Sequence, residues 1–160
     1  DHFYRFWYRY VFSNKSYYSM LGTERAADEI MEGINDYMGP VFEDICRQYL
    51  VRRAKGGILP FVPHAIGKWW GNNPVIKAQD DVDLLALDRK GERGIFVECK
   101  FRNRPMGMDE YDDLVTATEA FPGVKEKWLI FISKSGFTEA VKRRAGEEGA
   151  ELVEVKGMYE

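Results

Sequence analysis

The sequence predicts an α/β fold in which a mixed β-sheet is flanked by helices and preceded by an N-terminal helical extension. Residues 79–102 contain two runs rich in Val, Ile, Leu and Phe around a polar connection at 88–93, which predicts an antiparallel β-hairpin. Residues 128–133 are almost wholly apolar, which predicts a strand buried on both faces. Helical periodicity before the hairpin and between the later strands places helices on both faces of the sheet.

Length and composition are typical of one globular domain with its own core. Of the 160 residues, 45% are hydrophobic and 31% are charged. No apolar run approaches the roughly 20 residues that a membrane helix needs, and the first residues lack a secretory signal. We therefore expect a cytoplasmic protein without membrane contact. Because the chain starts at Asp1 rather than Met, we also expect it to be a piece of a longer protein.

Cysteine usage and charge narrow the functional classes. Cys46 and Cys99 are expected to be free, buried thiols, and with two distant histidines they form no zinc pattern. The net charge of −3 argues against nucleic acid as a permanently bound partner. Locally, basic residues such as Arg102 and Arg104 are consistent either with solvated ends of helices and strands or with a rim that contacts phosphates.

The chain is predicted to divide into an extension at 1–34 and a core at 35–160. Residues 1–12 form a helix capped by Asp1 that is aromatic almost all round, so it must be covered on more than one side. The cover is either this domain's own core or another domain or subunit. Residues 13–22 are predicted to be a connection, followed by a helix at 23–33 that ends at Gly33 and a longer helix at 35–54.

The remaining elements follow in order. Residues 65–70 are predicted to be the first strand, with Trp69 and Trp70 on opposite faces. After the hairpin come a helix at 109–121, the apolar strand at 128–133, a helix at 136–145 capped by Ser135, and a final strand at 151–155.

Centring the hairpin between Lys90 and Gly91 fixes which side chains face each other. Asp83 then lies opposite Glu98 and Asp81 lies opposite Lys100, and all four share one face of the sheet. The other face is apolar and is filled by Val82, Leu84, Ala86, Ile95, Val97, Cys99 and Phe101.

Two carboxylates in directly opposed positions require a cation between them. Their Cβ atoms are about 5 Å apart, where like charges repel. Lys100 supplies one positive charge, and a hydrated Mg²⁺ would supply another, because Mg²⁺ takes one or two carboxylates and keeps several waters. The alternative for Glu98 and Lys100 is a surface ion-pair ladder without chemistry.

At this point the residues resemble a known superfamily. Asp83 followed by the strand Glu98-Cys99-Lys100 resembles the signature of PD-(D/E)xK nucleases, which have a restriction-endonuclease-like fold. The strings FWYRYVF, YMGPVFEDICRQYL, DDVDLLALD and FVECKF together resemble the uncharacterised C-terminal domain of a family of prokaryotic, mainly archaeal, P-loop ATPases.

The resemblance implies a site and partners. Asp83, Glu98 and the backbone carbonyl of Cys99 would hold Mg²⁺ or Mn²⁺, Glu43 would reach the metal through water, and Lys100 would activate the hydrolytic water. Spacing alone instead pairs Glu43 with Arg47 on the surface. The superfamily often carries a glutamine and a tyrosine at the start of the next helix, and here only Tyr111 is present.

The implied partners are ATPase and winged-helix modules that precede this region in the parent protein. No G-x-x-x-x-G-K-[ST] motif is present, so this fragment has no ATP site.

Two functions from different classes remain. The first is a metal-dependent nuclease domain that acts on DNA or another nucleic acid. The second is a non-catalytic domain that docks the ATPase to a partner, with the aromatic helix at 1–12 as the contact between domains or between copies of the chain. Retention of the acidic residues and the lysine favours the nuclease, whereas the net acidity and the missing glutamine favour the docking domain.

Overall fold

A computed structural model describes residues 1–159. The chain forms two compact units, Asp1–Val41 and Phe42–Glu160. Helices make up the first unit, and the second contains a five-stranded sheet. The predicted boundary after residue 34 stays a prediction, although one helix runs through that position without a break.

The N-terminal unit is built from short helices and the start of a long one. These are α1 (His2–Phe6), a π-helical segment (Trp7–Phe12), α2 (Lys15–Leu21) and the first part of α3 (Thr23–Lys55). Asp1 caps α1 as predicted, since its side chain accepts a hydrogen bond from the Phe3 amide at 2.8 Å. The Tyr10 hydroxyl donates to the Gly33 carbonyl at 2.8 Å, and Tyr37 donates to the His2 carbonyl. These two tyrosines tie the first helix to α3.

Two helix boundaries predicted in this unit are wrong. Residues 15–21, expected to lie in a connection, form α2. The predicted end at Gly33 is also absent, because α3 continues to Lys55. A Cβ atom at position 33 would lie 3.2 Å from the Tyr10 hydroxyl oxygen. Glycine therefore serves here as the close packing site for a tyrosine within the helix and not as a helix terminator.

The second unit contains one mixed sheet in the order β1-β2-β3-β4-β5. The strands are β1 (Ala65–Asn73), β2 (Ala78–Leu87), β3 (Arg93–Lys100), β4 (Glu126–Ser133) and β5 (Glu151–Glu154). β2 pairs with β1 and with β3 in antiparallel orientation, whereas β4 pairs with β3 and with β5 in parallel. Along the chain, α4 (Met108–Ala117) lies between β3 and β4, and α5 (Glu139–Glu148) lies between β4 and β5. The α/β class predicted from the sequence, a mixed sheet flanked by helices after a helical N-terminal region, is confirmed.

Separate hydrophobic clusters cover the two faces of the sheet. On one face Phe42, Cys46 and Leu50 of α3 pack against Leu84, Ala86, Ile95, Val97, Cys99, Ile130 and Ile132. On the other face Tyr111 and Leu114 of α4 and Val141 and Ala145 of α5 pack against Leu85, Phe96 and Phe131. The sheet is thus the middle layer of three. The candidate site lies where β2 and β3 separate at the end of their ladder.

The hairpin has the register that the sequence predicted. Leu84 pairs with Val97 and Ala86 with Ile95. At the turn, the Asp88 carboxylate accepts hydrogen bonds from the Glu92 and Arg93 amides at 2.9 and 3.2 Å. Gly91 has a φ of +69°, a conformation that favours glycine. An Asp side chain and a glycine therefore fix this register locally.

The strict alternation predicted along β2 is interrupted by a β-bulge. Gly67 pairs with Leu85 and Trp69 pairs with Val82, so Lys68 of β1 faces two residues of β2, Asp83 and Leu84. Beyond the bulge, the side chains of β2 that were predicted on one face of the sheet lie on the opposite face. Val82, predicted to share a face with Leu84, instead belongs to the cluster on the α4 side.

The later elements agree with the prediction except for α5, which spans Glu139–Glu148 and not 136–145 and has a different cap. Thr138, and not Ser135, caps α5, with its hydroxyl accepting a hydrogen bond from the Val141 amide. The Ser135 hydroxyl instead donates to the carbonyl of Arg102. Cys46 and Cys99 are buried free thiols, as predicted. Within residues 1–159 no helix combines the length and apolar character needed to cross a membrane.

Candidate functional site

The candidate site lies where β2 and β3 part at the end of their ladder. Backbone pairing of the two strands ends at Leu84 and Val97. One residue further, the Asp83 side chain takes the place of a backbone hydrogen bond between the strands, because its Oδ2 accepts a hydrogen bond from the Cys99 amide at 2.9 Å. Only 8% of Asp83 is exposed. The bulge and this hydrogen bond therefore hold the carboxylate in the gap between the strands, with Oδ1 left for other partners.

Glu98 and Lys100 flank Cys99 on β3 and form an ion pair with each other. Burial, followed by the charge of the nearby Asp83 carboxylate, raises the pKa of Glu98 to about 7 against the opposing effect of Lys100. Burial lowers the pKa of Lys100, but Glu98 and Asp83 outweigh this, and the pKa lies above its usual range. Glu98 and Lys100 thus interact directly, and the charge of Asp83 acts on both of them.

A second lysine, which the sequence analysis did not single out, also lies at the site. The Lys68 amine is 3.3 Å from Glu43 Oε2, 3.4 Å from Asp81 Oδ2 and 3.6 Å from Asp83 Oδ1. Burial lowers the pKa of Lys68, but the Glu43 and Asp83 carboxylates raise it above its usual range. Its only sequence signal is a lone charge in an otherwise uncharged strand beside the hairpin, and the contacts depend on the bulge and on α3.

Two sequence-based pairings at this site are wrong. Glu43 does not pair with Arg47, because Arg47 binds Asp44 and Glu43 binds Lys68. Asp81 does not face Lys100 across the hairpin, because the β2–β3 ladder ends earlier and Asp81 pairs with β1 through its backbone. Both differences follow from long-range geometry that helical or strand spacing does not contain.

An open cleft of about 470 Å³ lies in front of Glu98 and Lys100. Its charged lining comes from three elements: Asp80 and Asp81 of β2, Glu98 and Lys100 of β3, and Asp113 of α4. We refer to it as the acidic cleft. Four carboxylates and one lysine give it an electrostatic preference for cations, or for anions that bring a cation with them.

Other residues singled out in the sequence lie elsewhere. The Tyr111 hydroxyl donates to Glu148 at 2.8 Å and its ring stacks on Phe131, so it belongs to the core. Trp69 packs edge-to-face on Phe121, whereas Trp70 on the opposite face is 72% exposed. The predicted alternation of the two tryptophans therefore holds, and only Trp70 is available to a ligand.

Basic side chains follow directly after β3. Arg102 and Arg104 each bind Oε1 of Glu110, at 2.7 and 2.8 Å, and the Gly107 amide donates to Oε2 at 2.9 Å. Burial alone would raise the pKa of Glu110, but these partners, led by the Gly107 hydrogen bond, lower it. One nearly buried carboxylate therefore holds two guanidinium groups at the end of the strand that carries Lys100.

The donor set fits a hydrated divalent cation. Within the part of the chain that the structure describes, no group of three or more His, Cys, Asp and Glu side chains is arranged to hold a metal ion. Mg²⁺ does not require such a group, because one or two carboxylates, a carbonyl and waters satisfy it. The raised pKa of Glu98 comes mainly from burial and then from the charge of Asp83, so ionisation of Glu98 is disfavoured without added positive charge. A cation near these two carboxylates would supply it.

Fold and site together define a class: a mixed α/β domain with a carboxylate and lysine cluster where its strands diverge. Residues 7–114 match the model of the DUF234 family, described as "Archaea bacterial proteins of unknown function", and the chain belongs to that family. An uncharacterized protein of Methanocaldococcus jannaschii, MJECL04, is 33% identical over 106 residues. That match covers 64% of this chain and 22% of MJECL04, so the chain spans about a fifth of this relative.

One solved structure shares the fold at low sequence identity. Protein VC1899 from Vibrio cholerae has a TM-score of 0.57 and 14% identity, over 81% of this chain and 33% of that one. This likeness shows a common fold. EndoMS in its complex with dsDNA is less similar, with a TM-score of 0.41 and 15% identity over 69% of this chain and 43% of that chain.

Proposed function

We propose that this chain is a nuclease-like domain that hydrolyses phosphodiester bonds of nucleic acid with the help of Mg²⁺ or Mn²⁺. The observation that carries the proposal is the Asp83, Glu98 and Lys100 cluster, in which a largely buried glutamate with a raised pKa lies beside a second carboxylate and a protonated amine. A purely structural ion pair has no need of a second buried carboxylate, which costs folding stability.

The residues of the chain have distinct roles in this proposal. Asp83 and Glu98 would hold the cation together with the Cys99 carbonyl, and the Cys99 amide positions Asp83. Glu43, which binds Lys68 here, would act through water. When bound, the metal would lower the pKa of a coordinated water and neutralise phosphate charge.

Lys100 is assigned an electrostatic role. Its raised pKa keeps the amine protonated at neutral pH, so it donates hydrogen bonds and positive charge. That charge stabilises a hydroxide during attack and the negative charge that develops on the phosphorus oxygens. Gln or Ala at this position would remove the charge and leave Glu98 without its ion-pair partner.

The choice of nucleic acid as substrate rests on charge at the edge of the site. Arg102 and Arg104 follow Lys100 on the same chain segment and are held side by side by Glu110. Paired guanidinium groups contact phosphates well, and a repeating phosphate backbone would extend from Lys100 onto them. The remainder of the parent protein, proposed to contain P-loop ATPase and winged-helix modules, would deliver the substrate.

A cleavage assay on the 160-residue chain tests this proposal. Linear duplex and single-stranded DNA, and RNA, are incubated with the protein and Mg²⁺ or Mn²⁺, with EDTA as the metal-free control. We expect cleavage by the wild type and its loss in Lys100→Ala and Asp83→Asn, with Lys125→Ala, at an exposed ion pair elsewhere, retaining activity. Equal cleavage by Lys100→Ala would show that the activity comes from another site or a contaminant.

The second candidate is a docking domain, and exposed aromatic residues in the first helix favour it. Phe3, Tyr4 and Tyr8 are 67%, 68% and 61% exposed within the N-terminal unit. Such a surface is typical of a contact with another domain or with a second copy of the chain. In the parent protein, deletion of residues 1–12 should break assembly with the ATPase part.

The deletion needs a variant that leaves the helix in place. Replacement of Phe3, Tyr4 and Tyr8 by Ser changes the exposed rings but keeps the tyrosine contacts to α3. Assembly unaffected by both changes would rule out docking through this surface.

A further inference from the structure

Lys68 has an unusual position for a surface lysine. It lies in β1 directly opposite the bulge formed by Asp83 and Leu84, and its amine is within 3.6 Å of three carboxylates, those of Glu43, Asp81 and Asp83. Glu43 is proposed to act on the cation through water, and only the contact with Asp83 is to a proposed direct ligand. The question is what this contact does to a cation that approaches the same carboxylate.

The Asp83 carboxylate has one oxygen free for a cation. Oδ2 is held by the Cys99 amide at 2.9 Å, inside the gap between β2 and β3. Oδ1 is the oxygen that faces Lys68 at 3.6 Å. A divalent cation bound through Oδ1 would therefore meet the lysine charge at the same atom, and like charges at that range repel strongly when partly shielded from water.

We propose that Lys68 is a built-in counter-ion that competes with the divalent cation for Asp83 and so sets the affinity of the site for the metal. This inference rests on the proposed function, because it takes Asp83 as a cation ligand. Lys68 is a positioning residue in this role, since it acts through Asp83 and does not touch the substrate.

The structure also supplies a place for the lysine once the cation is bound. Glu43 and Asp81 are closer to the amine than Asp83 is, at 3.3 and 3.4 Å. Lys68 can therefore release Asp83 and keep two carboxylate partners. In the absence of metal, the same lysine neutralises Asp83, which would otherwise repel Glu98.

The test is the affinity of the 160-residue chain for Mn²⁺, measured by titration calorimetry or by electron paramagnetic resonance of the free ion. Lys68→Gln removes the charge, and Lys68→Arg keeps it. Partly exposed ion pairs change equilibria by a few-fold each, so we expect the Kd of Lys68→Gln for Mn²⁺ to fall by roughly three- to tenfold. Lys68→Arg should bind Mn²⁺ like the wild type.

A matched control separates competition at Asp83 from the general effect of net charge. Lys125→Gln removes one positive charge from an exposed ion pair with Glu92, beside the hairpin turn at the other end of β3. Its Kd for Mn²⁺ should stay within about twofold of the wild type, because screening at 0.1 M salt removes most of such a distant effect. In an Asp83→Asn background, Lys68→Gln should no longer change the Kd.

Thermal denaturation in EDTA gives a second readout. Lys68→Gln should have a lower Tm than the wild type without metal, since Asp83 loses its counter-ion, but a larger rise in Tm on addition of Mn²⁺. Lys68→Met, which keeps the aliphatic stem, replaces Lys68→Gln if the latter does not fold.

The outcomes are distinguishable. Tighter Mn²⁺ binding in Lys68→Gln alone supports the counter-ion role. An unchanged or weaker Kd in Lys68→Gln, with binding still dependent on Asp83, overturns the role of Lys68 and leaves the proposed function standing. Absence of Mn²⁺ binding in every variant overturns both.

Discussion

Glu98→Gln is the substitution for which the structure gives the clearest energetic expectation. Burial, with the charge of Asp83, raises the pKa of Glu98 from 4.5 to about 7. The protonated acid is thus favoured in the folded state, and the ionised acid is disfavoured. Gln has nearly the shape of the protonated acid but never ionises, so it removes the pH-dependent part of this effect.

The sign follows from which state holds the proton. Below pH 4.5 Glu98 is protonated in both states, and its raised pKa contributes its full stabilisation. Between pH 4.5 and about 7 the folded chain keeps the proton while the unfolded chain has lost it, so stability falls as the pH rises. Above pH 7 the loss is complete, and the difference between the two pKa values corresponds to about 3 kcal/mol. This pKa already includes the favourable ion pair with Lys100.

Urea unfolding of the wild type and Glu98→Gln, followed by tryptophan fluorescence, measures the effect. From about pH 5 to about pH 8, the free energy of unfolding of Glu98→Gln should rise relative to the wild type by about 3 kcal/mol, a change in midpoint of more than about 1 M urea. Mg²⁺ at the higher pH should stabilise the wild type and have no such effect on Glu98→Gln. Glu147→Gln, an exposed position on α5, is the matched control.

A difference between Glu98→Gln and the wild type that stays constant across this pH range would refute the reasoning. It would mean that Glu98 is ionised as readily in the folded chain as in the unfolded chain. Neither burial nor the charge of Asp83 would then disfavour the ionised form of Glu98, and the main argument for a cation at this site would fail.

Three further predictions concern the neighbourhood of the site. Asp83→Ala should lower the free energy of unfolding by about 1–3 kcal/mol, because it leaves the buried Cys99 amide without an acceptor. Asp83→Asn keeps an acceptor and should lose less stability. Urea unfolding measures both variants. Replacement of Arg102 and Arg104 by Gln should weaken binding to duplex DNA and reduce the slope of log K against log salt by about 2, as measured by fluorescence anisotropy. The buried thiols Cys46 and Cys99 should react with a thiol reagent such as DTNB only on unfolding, as a time course of absorbance would show.

Each of these has an outcome that contradicts it. Equal stability of Asp83→Ala and Asp83→Asn would mean that the hydrogen bond to the amide contributes nothing. For DNA binding, Arg89→Gln with Lys90→Gln at the hairpin turn is the control, and an equal loss in that variant would assign binding to net charge alone. Rapid thiol reaction in the native protein would contradict the packing of α3 against β3.

The sequence carried most of the architecture because local patterns determine it. In the hairpin, apolar residues at Leu84, Ala86, Ile95 and Val97 had to share a covered face, and that requirement determined the register. The five strands and the helices between them followed from periodicity in the same way. Boundaries failed where tertiary contacts decide, as at Gly33, which packs against Tyr10 within a continuous helix.

Only some residues of the candidate site could be predicted from the sequence. Asp83, Glu98 and Lys100 were identified from spacing and resemblance, and the structure brings their charges into mutual range. Lys68 was not, since its partners come from three separate elements and its position depends on one extra residue in β2. The residues of this bulge are not of types that mark a bulge in a sequence. The prediction therefore continued the strand alternation past the bulge and placed Val82 on the wrong face of the sheet.

The hydrogen bond from the Cys99 amide to Asp83 makes this side chain a structural member of the sheet. Rotation of the carboxylate away from the gap would leave a buried amide without an acceptor, so χ1 and χ2 of Asp83 are locked by the backbone of the neighbouring strand. Its placement should therefore tolerate changes in surrounding side chains and be lost only when the two strands fray. Amide hydrogen exchange at Cys99 would then report on the integrity of the site itself.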